Sequence, residues 1–247
     1  MKDISLQLWT IQEVLDRSLE EAISLAAEIG YTSIETDAIH KYPHEKINQT
    51  LKTHNMRMLA LHAQPEMLFG EKERALDLAL LYGCDYLVCP IARFDAADLL
   101  GSAEAFAKRA NAAVDFYASK KVTLAYHSHA HEFERAQDGR FVYDVLFDAF
   151  DPRIQCELDT YWTVRGGADL FEVMERYKGR IPLLHVKNYD PVRPETFVDM
   201  DDGKLDFEKI IALAKAGGTK HFVIEQDQSE HPAQTARTNY SALARLL

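Results

Sequence analysis

The sequence predicts a (β/α)8 barrel, a closed ring of eight parallel strands with a helix after each strand. Three observations lead to this prediction. Short apolar runs alternate with helix-period stretches along the whole chain of 247 residues, eight such units can be counted, and no Pro-rich or Gly-rich break divides them. We therefore expect one domain covering residues 1–247. A doubly wound open sheet is the competing architecture, but no GxGxxG turn follows the first strand, and Gly166-Gly167 precedes the sixth helix instead.

The predicted strands are short runs rich in β-branched and aromatic residues. In chain order they are Ile4–Trp9, Ser33–Thr36, Met58–His62, Tyr86–Pro90, Thr123–His127, Ile154–Asp159, Pro182–Lys187 and Phe222–Gln226. Between them, stretches with apolar positions three to four residues apart predict helices. The clearest are Ser18–Ile29, Glu66–Tyr82, Ser102–Ser119, Ala168–Tyr177 and Phe207–Ala216. Gly30, Gly83 and Gly218 follow three of these helices, as glycine does at helix C-terminal caps.

The composition excludes several classes of protein. A hydrophobic content of 47% is enough for a large core, so the chain is neither disordered nor fibrous. The formal charge of -11 repels phosphate backbones and anionic membrane surfaces, and no apolar run is long enough to span a bilayer. We expect a soluble cytoplasmic protein that binds neither nucleic acid nor membrane. Cys84, Cys89 and Cys156 lack close paired spacing, which indicates buried free thiols in a reducing compartment.

Polar side chains follow nearly every predicted strand, at the end where such a barrel carries its active site. They are Trp9-Thr10, Glu35-Thr36-Asp37, His62, His127-Ser128-His129, Glu157-Leu158-Asp159, His185-Val186-Lys187-Asn188 and Glu225-Gln226-Asp227. Burying several carboxylates together is costly without a proton or a cation, so this rim favours a divalent metal ion. Mixed imidazole and carboxylate ligands suit Mn²⁺, Co²⁺, Fe²⁺ or Zn²⁺.

Taken singly, these residues have simpler interpretations. Asp37 and Asp227 can cap a helix or form an ion pair, and His62 alone is typical of a core or capping histidine. Glu157 and Asp159 lie on one side of their strand, where such a pair can also bind a neighbouring Arg or Lys.

The coincidence of four residues favours a site. His127, Asp159, His185 and Glu225 come from four consecutive strands at the same end of the barrel. His127 and His129 project the same way because side chains alternate along a strand. We expect His127 to lie at or beside the metal ion, His129 to face the substrate, and His131 with Glu132 to belong to the following loop.

At these residues the sequence resembles the xylose-isomerase-like TIM-barrel superfamily, and within it the sugar phosphate isomerase/epimerase members that carry a YHNH motif on strand five. The resemblance covers essentially the whole chain. Its carriers are Tyr126-His-Ser-His129 with Glu132-Phe133, Glu157-Leu-Asp-Thr-Tyr-Trp162, Leu184-His-Val-Lys187, Asp202-Gly203 with Leu205-Asp-Phe207, and Ile224-Glu-Gln-Asp227.

The resemblance implies one divalent ion, often Mn²⁺, with Zn²⁺, Co²⁺, Fe²⁺ or Mg²⁺ as alternatives. Carried over by position, it implies Asp159, His185 and Glu225 as ligands, with His127 where many relatives have a glutamate. The chain departs from the family pattern at positions that surround the substrate. Ser128 replaces an Asn, Ala130-His131 an Asp-Phe pair, Asn188 an Asp, and Asp201-Asp202-Gly203 a Gly-Glu-Gly turn.

We therefore expect a metal-dependent sugar isomerase or epimerase that acts on a ketose or keto-sugar through an enediolate-type proton transfer. Glu225, His129, Glu157 and Lys187 are the candidate catalytic groups, and Trp9, Glu35, His62 and Trp162 the candidate substrate-binding groups. Neither Trp9 nor Trp162 is distinguished by sequence alone from a core tryptophan. The lack of a Gly-rich phosphate loop or an Arg cluster favours an unphosphorylated sugar.

Three alternatives stay open at this stage. The first is a keto-sugar or inositol dehydratase or lyase, which would share the same intermediate. The second is an abasic-site endonuclease, which the net charge disfavours, and the third is a non-catalytic sugar-binding barrel. A homo-oligomer is possible, but no sequence feature requires one.

Overall fold

A computed structural model describes residues 3–37 and 41–247 and shows a closed barrel of eight parallel strands surrounded by helices, which confirms the predicted (β/α)8 fold. The strands are β1 (Ile4–Gln7), β2 (Ser33–Asp37), β3 (Arg57–His62), β4 (Tyr86–Cys89), β5 (Thr123–His127), β6 (Gln155–Asp159), β7 (Leu183–Val186), β8 (Asn188–Tyr189), β9 (Phe197–Val198) and β10 (His221–Ile224). The barrel runs in the order β1, β2, β3, β4, β5, β6, β7, β10, and β10 closes it by pairing with β1.

Helices cover the outside of the barrel. They are α1 (Gln12–Arg17), α2 (Leu19–Ile29), α3 (His44–Thr53), α4 (Pro65–Gly70), α5 (Lys72–Tyr82), α6 (Leu99–Ala118), α7 (Val142–Ala149), α8 (Thr160–Arg165), α9 (Leu170–Arg176), α10 (Phe207–Gly217) and α11 (Pro232–Leu246). Two 3₁₀ helices, Leu8–Ile11 and Ala130–Phe133, follow β1 and β5. Gly30, Gly83 and Gly218 have the positive φ angles expected of C-terminal caps.

The structure corrects three predictions of element bounds. Strand β1 ends at Gln7, because the Gln7 side chain accepts a hydrogen bond from the Trp9 amide and starts the first 3₁₀ helix. The helix predicted over Glu66–Tyr82 is divided in two at Glu71, whose backbone is not helical. The short antiparallel hairpin of β8 and β9 was not predicted, since two-residue strands carry no periodic signal.

Side chains alternate along each barrel strand, and this alternation separates an apolar lower layer from a polar upper layer inside the barrel. The lower layer is an apolar cluster distinct from the main core, formed by Leu59, Ala60, Tyr86, Val88, Ala125, Leu183 and Val223. Two residues further along their strands, Ala60, Leu183 and Val223 are followed by His62, His185 and Glu225. Apolar packing below therefore supports the polar groups at the carboxyl ends of the strands.

The main core lies between the barrel and the helices, and it includes the three cysteines. All three are buried free thiols, as predicted. Over residues 3–37 and 41–247, no helix combines the length and apolar character needed to cross a membrane.

Candidate metal centre and active site

A cavity of about 360 Å³ opens at the carboxyl ends of the barrel strands. Its lining includes four of the residues singled out from the sequence as ligands or catalytic groups: His127, His129, Lys187 and Glu225. The other lining residues are Gln7, Trp9, Asp37, His62, Pro90, Asp227 and Gln228. Trp9 is 50% exposed at this position, so its indole is available to a ligand rather than packed in the core.

Four residues beside this cavity form what we call the upper cluster: His127, Asp159, His185 and Glu225. Each offers one donor atom, and these atoms all lie within 4.8 Å of one another. All four residues are buried. Neighbouring strands bring them together, since Asp159 on β6 is in register with His185 on β7.

The two carboxylate oxygens of Asp159 have different surroundings. Its Oδ1 accepts a hydrogen bond of 2.8 Å from the Trp162 amide and caps helix α8. This contact holds the carboxylate in place. The other oxygen, Oδ2, is buried and accepts no hydrogen bond from a described residue.

Lys187 is a buried ammonium between three carboxylates. Its Nζ lies 3.1 Å from Asp159 Oδ2, 2.7 Å from Glu225 Oε2 and 2.8 Å from Asp227 Oδ1. The backbone of Lys187 is fixed by Thr160, whose Oγ1 accepts from the Lys187 amide at 3.0 Å and donates to a carbonyl oxygen of the same strand end. These carboxylates raise the pKa of Lys187 although burial acts in the opposite direction, so the side chain is an ammonium.

A second group, which we call the deep cluster, is formed by Glu35, His62, Glu157 and His185. Its donor atoms also lie within 4.8 Å of one another. His185 Nε2 lies 2.9 Å from Glu35 Oε2 and 3.2 Å from Glu157 Oε2, and His62 Nε2 lies 3.0 Å from Glu157 Oε2. Glu35, Glu157 and His185 are 0% exposed.

His185 belongs to both clusters because its two ring nitrogens face in different directions. Its Nδ1 lies 2.8 Å from Glu225 Oε2 in the upper cluster, while its Nε2 faces Glu35 and Glu157 in the deep cluster. The tautomer and charge of this one imidazole therefore couple the two clusters.

The charges within the deep cluster depend on one another. Burial lowers the pKa of His62, but Glu157 and Glu35 outweigh it and raise that pKa to about 10. Burial also opposes the charged form of His185, yet Glu157, Glu225 and Glu35 raise its pKa well above the ordinary value. Conversely, burial favours a protonated Glu157, but His185 and His62 hold the pKa of that carboxyl well below its usual range. Protonated imidazoles thus balance the carboxylates where no metal ion contributes charge.

The pKa values of His127 and His129 are lowered, whereas those of His62 and His185 are raised, because burial outweighs the nearby carboxylates at His127 and His129. Desolvation lowers the pKa of His127 well below its ordinary value despite the contact with Glu157, and it lowers the pKa of His129 although Glu132 opposes it. Both rings are neutral at neutral pH. Burial raises the pKa of Glu225, but Lys187 and His185 outweigh it and keep that carboxyl ionised. A neutral base, a carboxylate and an ammonium therefore share one cavity wall.

His129 is held at the cavity by its backbone. The His129 amide donates to Glu132 Oε2 at 2.8 Å, and Tyr126 donates its hydroxyl hydrogen to the other oxygen of Glu132 at 2.5 Å. The His129 ring lies 5.4 Å from the Trp162 ring, and neither His129 Nδ1 nor Trp162 Nε1 has a described hydrogen-bond partner. Two buried polar atoms therefore lie side by side at this wall without a hydrogen-bond partner among the described residues.

The family model for the xylose isomerase-like TIM barrel matches residues 23–246. The chain belongs to this family. No curated protein sequence matches it.

Solved structures show the same fold at low sequence identity. A sugar phosphate isomerase/epimerase from Parabacteroides distasonis is 20% identical with a TM-score of 0.85, over 98% of this chain and 93% of that one. A probable 3-DHS dehydratase, AsbF, from Bacillus anthracis is 15% identical with a TM-score of 0.79, over 98% and 99% of the two chains. A family 2 AP endonuclease from Brucella melitensis is 19% identical with a TM-score of 0.74, over 99% and 98%.

The structure of this xylose isomerase-like barrel distributes the predicted site residues over two levels. His127, His129, Lys187 and Glu225 line the cavity, as does His62. Glu35 and Glu157, predicted as substrate-binding and catalytic groups, are instead wholly buried in the deep cluster. Trp162 stands beside His129, behind the cavity lining. His131 and Glu132, predicted in a loop, lie in the second 3₁₀ helix, and Glu132 is 0% exposed.

Two residues that shape the site, Gln7 and Thr160, were not predicted from the sequence. Gln7 lines the cavity, and the alternation along β1 that places it there was available from the sequence. The role of Thr160 in fixing the end of β7 depends on a contact between residues 27 apart and could not be predicted locally.

The upper cluster fits a divalent metal ion. The decisive observation is that one donor atom from each of the four buried residues lies within 4.8 Å of the others, and that the Asp159 carboxylate among them has one oxygen, Oδ2, whose contact is the Lys187 ammonium at 3.1 Å. Two imidazoles and two carboxylates form a donor set that suits Mn²⁺, Fe²⁺, Co²⁺ or Zn²⁺. Both the upper and the deep cluster could hold a metal ion, because their donor atoms lie close enough together and are of the types that bind these ions.

Proposed function

We propose that this protein is a divalent-metal-dependent isomerase or epimerase that transfers a proton on a ketose or keto-sugar. The observation that supports this best is the composition of one cavity wall, where metal-type donors adjoin the neutral His129, the carboxylate of Glu225 and the ammonium of Lys187. These groups together are what an enolising enzyme needs: a base, an acid and an electrophile.

In this proposal His127, Asp159, His185 and Glu225 hold the ion, with Mn²⁺ preferred. When bound, the ion supplies Lewis-acid polarisation of a carbonyl and its neighbouring hydroxyl. The remaining chemistry belongs to side chains of this chain.

His129 and Glu225 are the proposed proton-transfer groups. His129 suits the role of base because burial keeps its ring neutral and the residue lines the cavity. The proton that His129 removes stays on the imidazolium that it forms, which can return it to the neighbouring carbon or oxygen, while the ionised Glu225 is a second group able to accept a proton. Lys187 places a positive charge beside oxygen that gains negative charge, since its side chain is an ammonium at neutral pH. Glu157 cannot reach the substrate from its buried position, and we assign it to the support of His185, His62 and His127.

The cavity suits a small, unphosphorylated molecule. Its volume of about 360 Å³ falls at the lower end of the range typical of small-ligand pockets, roughly 300–1,000 Å³. Trp9 offers an exposed indole for a sugar face, and Trp162 packs beside His129 behind the cavity lining. No arginine belongs to the cavity lining given by residues 3–37 and 41–247, which favours a substrate without phosphate.

A dehydratase or lyase activity is the second candidate. The supporting observation is that Lys187 places an ammonium charge on the cavity wall, where it can stabilise a departing oxygen that takes its proton from the imidazolium formed on His129 in the first proton transfer. One structural neighbour is described as a probable dehydratase, and another as a sugar phosphate isomerase/epimerase. An unsaturated product would distinguish elimination from isomerisation.

The test is exchange of solvent deuterium into the carbon next to the carbonyl, measured by NMR over a panel of ketoses and 3-keto-sugars with Mn²⁺ present. We expect exchange by the wild-type protein and a loss of about 10²–10⁴-fold in His129→Gln. His54→Gln is the control, since His54 follows helix α3 on the outside of the barrel and contacts Glu20 instead of the cavity. Absence of exchange on the whole panel by the metal-loaded protein would reject the proposed reactions. Cleavage of abasic DNA would point to the endonuclease alternative.

A further inference from the structure

The number of carboxylates at the end of the barrel exceeds what one divalent ion can balance. Five carboxylates belong to the two clusters or contact Lys187, namely Glu35, Glu157, Asp159, Glu225 and Asp227, and Lys187 is the single Lys or Arg in contact with them among the described residues. An ion in the upper cluster together with Lys187 balances three negative charges. Two charges remain on Glu35 and Glu157 at the deeper level, and once His185 ligates an ion as a neutral imidazole, His62 is the one imidazolium in contact with both of them among the described residues.

The deep cluster also contains polar atoms without hydrogen bonds. Glu157 is 0% exposed, and neither of its oxygens has a hydrogen-bond partner among the described residues. Glu35 Oε1 and His62 Nε2 are unpartnered in the same sense. Three imidazole nitrogens lie 3.0–3.2 Å from Glu157 Oε2 as ion-pair contacts, whereas Glu157 Oε1 and Glu35 Oε1 have no such contact with a described residue. Buried polar atoms are seldom left in this state unless a ligand satisfies them.

The spacing of the donors agrees with a cation at their centre. The contacts between the histidine Nε2 atoms and the glutamate Oε2 atoms measure 2.9, 3.0, 3.2 and 3.5 Å. Ligands at about 2.0–2.1 Å from a tetrahedral ion are roughly 3.3–3.4 Å apart. The distances between these donor atoms are therefore close to, and mostly slightly shorter than, the distances between the ligands of one tetrahedral ion.

We propose that the deep cluster is a second divalent-cation site, with Glu35, His62 and Glu157 as ligands and His185 shared with the upper cluster. The ion would be Mn²⁺, Fe²⁺, Co²⁺ or Zn²⁺, because the donors are two imidazoles and two carboxylates. His62 lines the cavity and provides the route of entry. The proposal builds on the upper site of the proposed function and adds a second ion on the opposite edge of the His185 ring.

The test is the metal content of the intact protein, stripped with chelator, reloaded with Mn²⁺ and measured by elemental analysis together with Mn²⁺ EPR. We expect two ions per wild-type chain, with magnetic coupling between them. Glu35→Gln and His62→Gln should each hold one uncoupled ion, and so should the upper-site variant Asp159→Asn, which keeps the cap of α8. Gln7→Ala, a cavity residue outside both clusters, should hold two.

The variants separate this proposal from the proposed function. The second site would be overturned if the wild type held one ion, Glu35→Gln kept that ion with weaker affinity, and Asp159→Asn lost it. The upper site would still stand in that case. Wild-type metal content in Asp159→Asn would overturn the upper site instead. Circular dichroism establishes that each variant folds. Glu35→Gln and His62→Gln must both show the loss of one ion, because they remove different ligands of the same proposed site.

Discussion

Replacing Lys187 by methionine should destabilise the protein strongly when metal is absent. Methionine has nearly the same length but no charge, so Asp159, Glu225 and Asp227 would face one another without the ammonium. At an effective dielectric constant of about 20, each of the three contacts of 2.7–3.1 Å represents about 5–6 kcal/mol of Coulomb attraction. Desolvation of the ammonium cancels much of this, and removing one partner of a buried ion pair costs about 3–5 kcal/mol in practice. We expect a loss of about 3–5 kcal/mol in the free energy of unfolding.

Urea unfolding in EDTA, followed by circular dichroism, measures this loss. The double variant Lys187→Met/Asp227→Asn should recover part of the stability, because it removes one of the unbalanced charges, whereas Asp227→Asn alone should have a smaller effect. A loss below about 1 kcal/mol for Lys187→Met would refute the reasoning, since it would mean that the three carboxylates are protonated or solvated without the lysine.

Three further predictions concern packing, metal and thiol reactivity. Gly166→Ala should cost about 1–3 kcal/mol in urea unfolding, because its Cβ would lie 2.6 Å from Phe133 Cβ and 2.8 Å from Ala130 O, whereas Gly70→Ala, with no described atom within 4 Å, should be neutral or slightly stabilising. Mn²⁺ at about 100 times its Kd should stabilise the stripped protein by about 2.7 kcal/mol, seen as a higher Tm, and the absence of any Tm change would contradict the metal site. Burial raises the pKa of Cys156 to about 12, so the thiol should not react with a disulfide reagent at pH 8 until urea unfolds the chain, and fast labelling of the native protein would contradict its burial.

The barrel was predictable because each strand carries its own local signal. Thr123–His127 was predicted to the residue, since a β-branched and aromatic run ends there in polar side chains. Strand β1 was predicted two residues too long because Leu8 and Trp9 are as apolar as the strand before them. Only the hydrogen bond from the Trp9 amide to the Gln7 side chain ends the strand, and that contact has no periodic signature.

The sequence predicted which residues gather at the candidate site, but not how deep in the barrel each of them lies. Alternation along the strands placed Glu157 and Asp159 on the same side, and the fold placed that side inside the barrel. Alternation could not show that a step of two residues along β6 separates Asp159, which contacts Lys187, from Glu157, which contacts three imidazoles. Depth in a barrel depends on the stagger between strands, which is a property of the closed sheet and not of any one segment.

His185 links the two levels of the site, and its chemistry sets a condition on any occupant. A neutral imidazole has one lone pair on its ring nitrogens, so it can ligate an ion through Nδ1 while Nε2–H donates to Glu35, or the reverse. With one ion in the upper cluster, Glu35 and Glu157 orient the ring from below, as carboxylates commonly do for metal-bound histidines. With two ions, the ring must give up its remaining proton, and the charge of the second ion is what would favour that loss. The deep glutamates therefore matter to the upper site in either state, and the metal content of Glu35→Gln distinguishes a carboxylate that orients His185 from one that binds an ion itself.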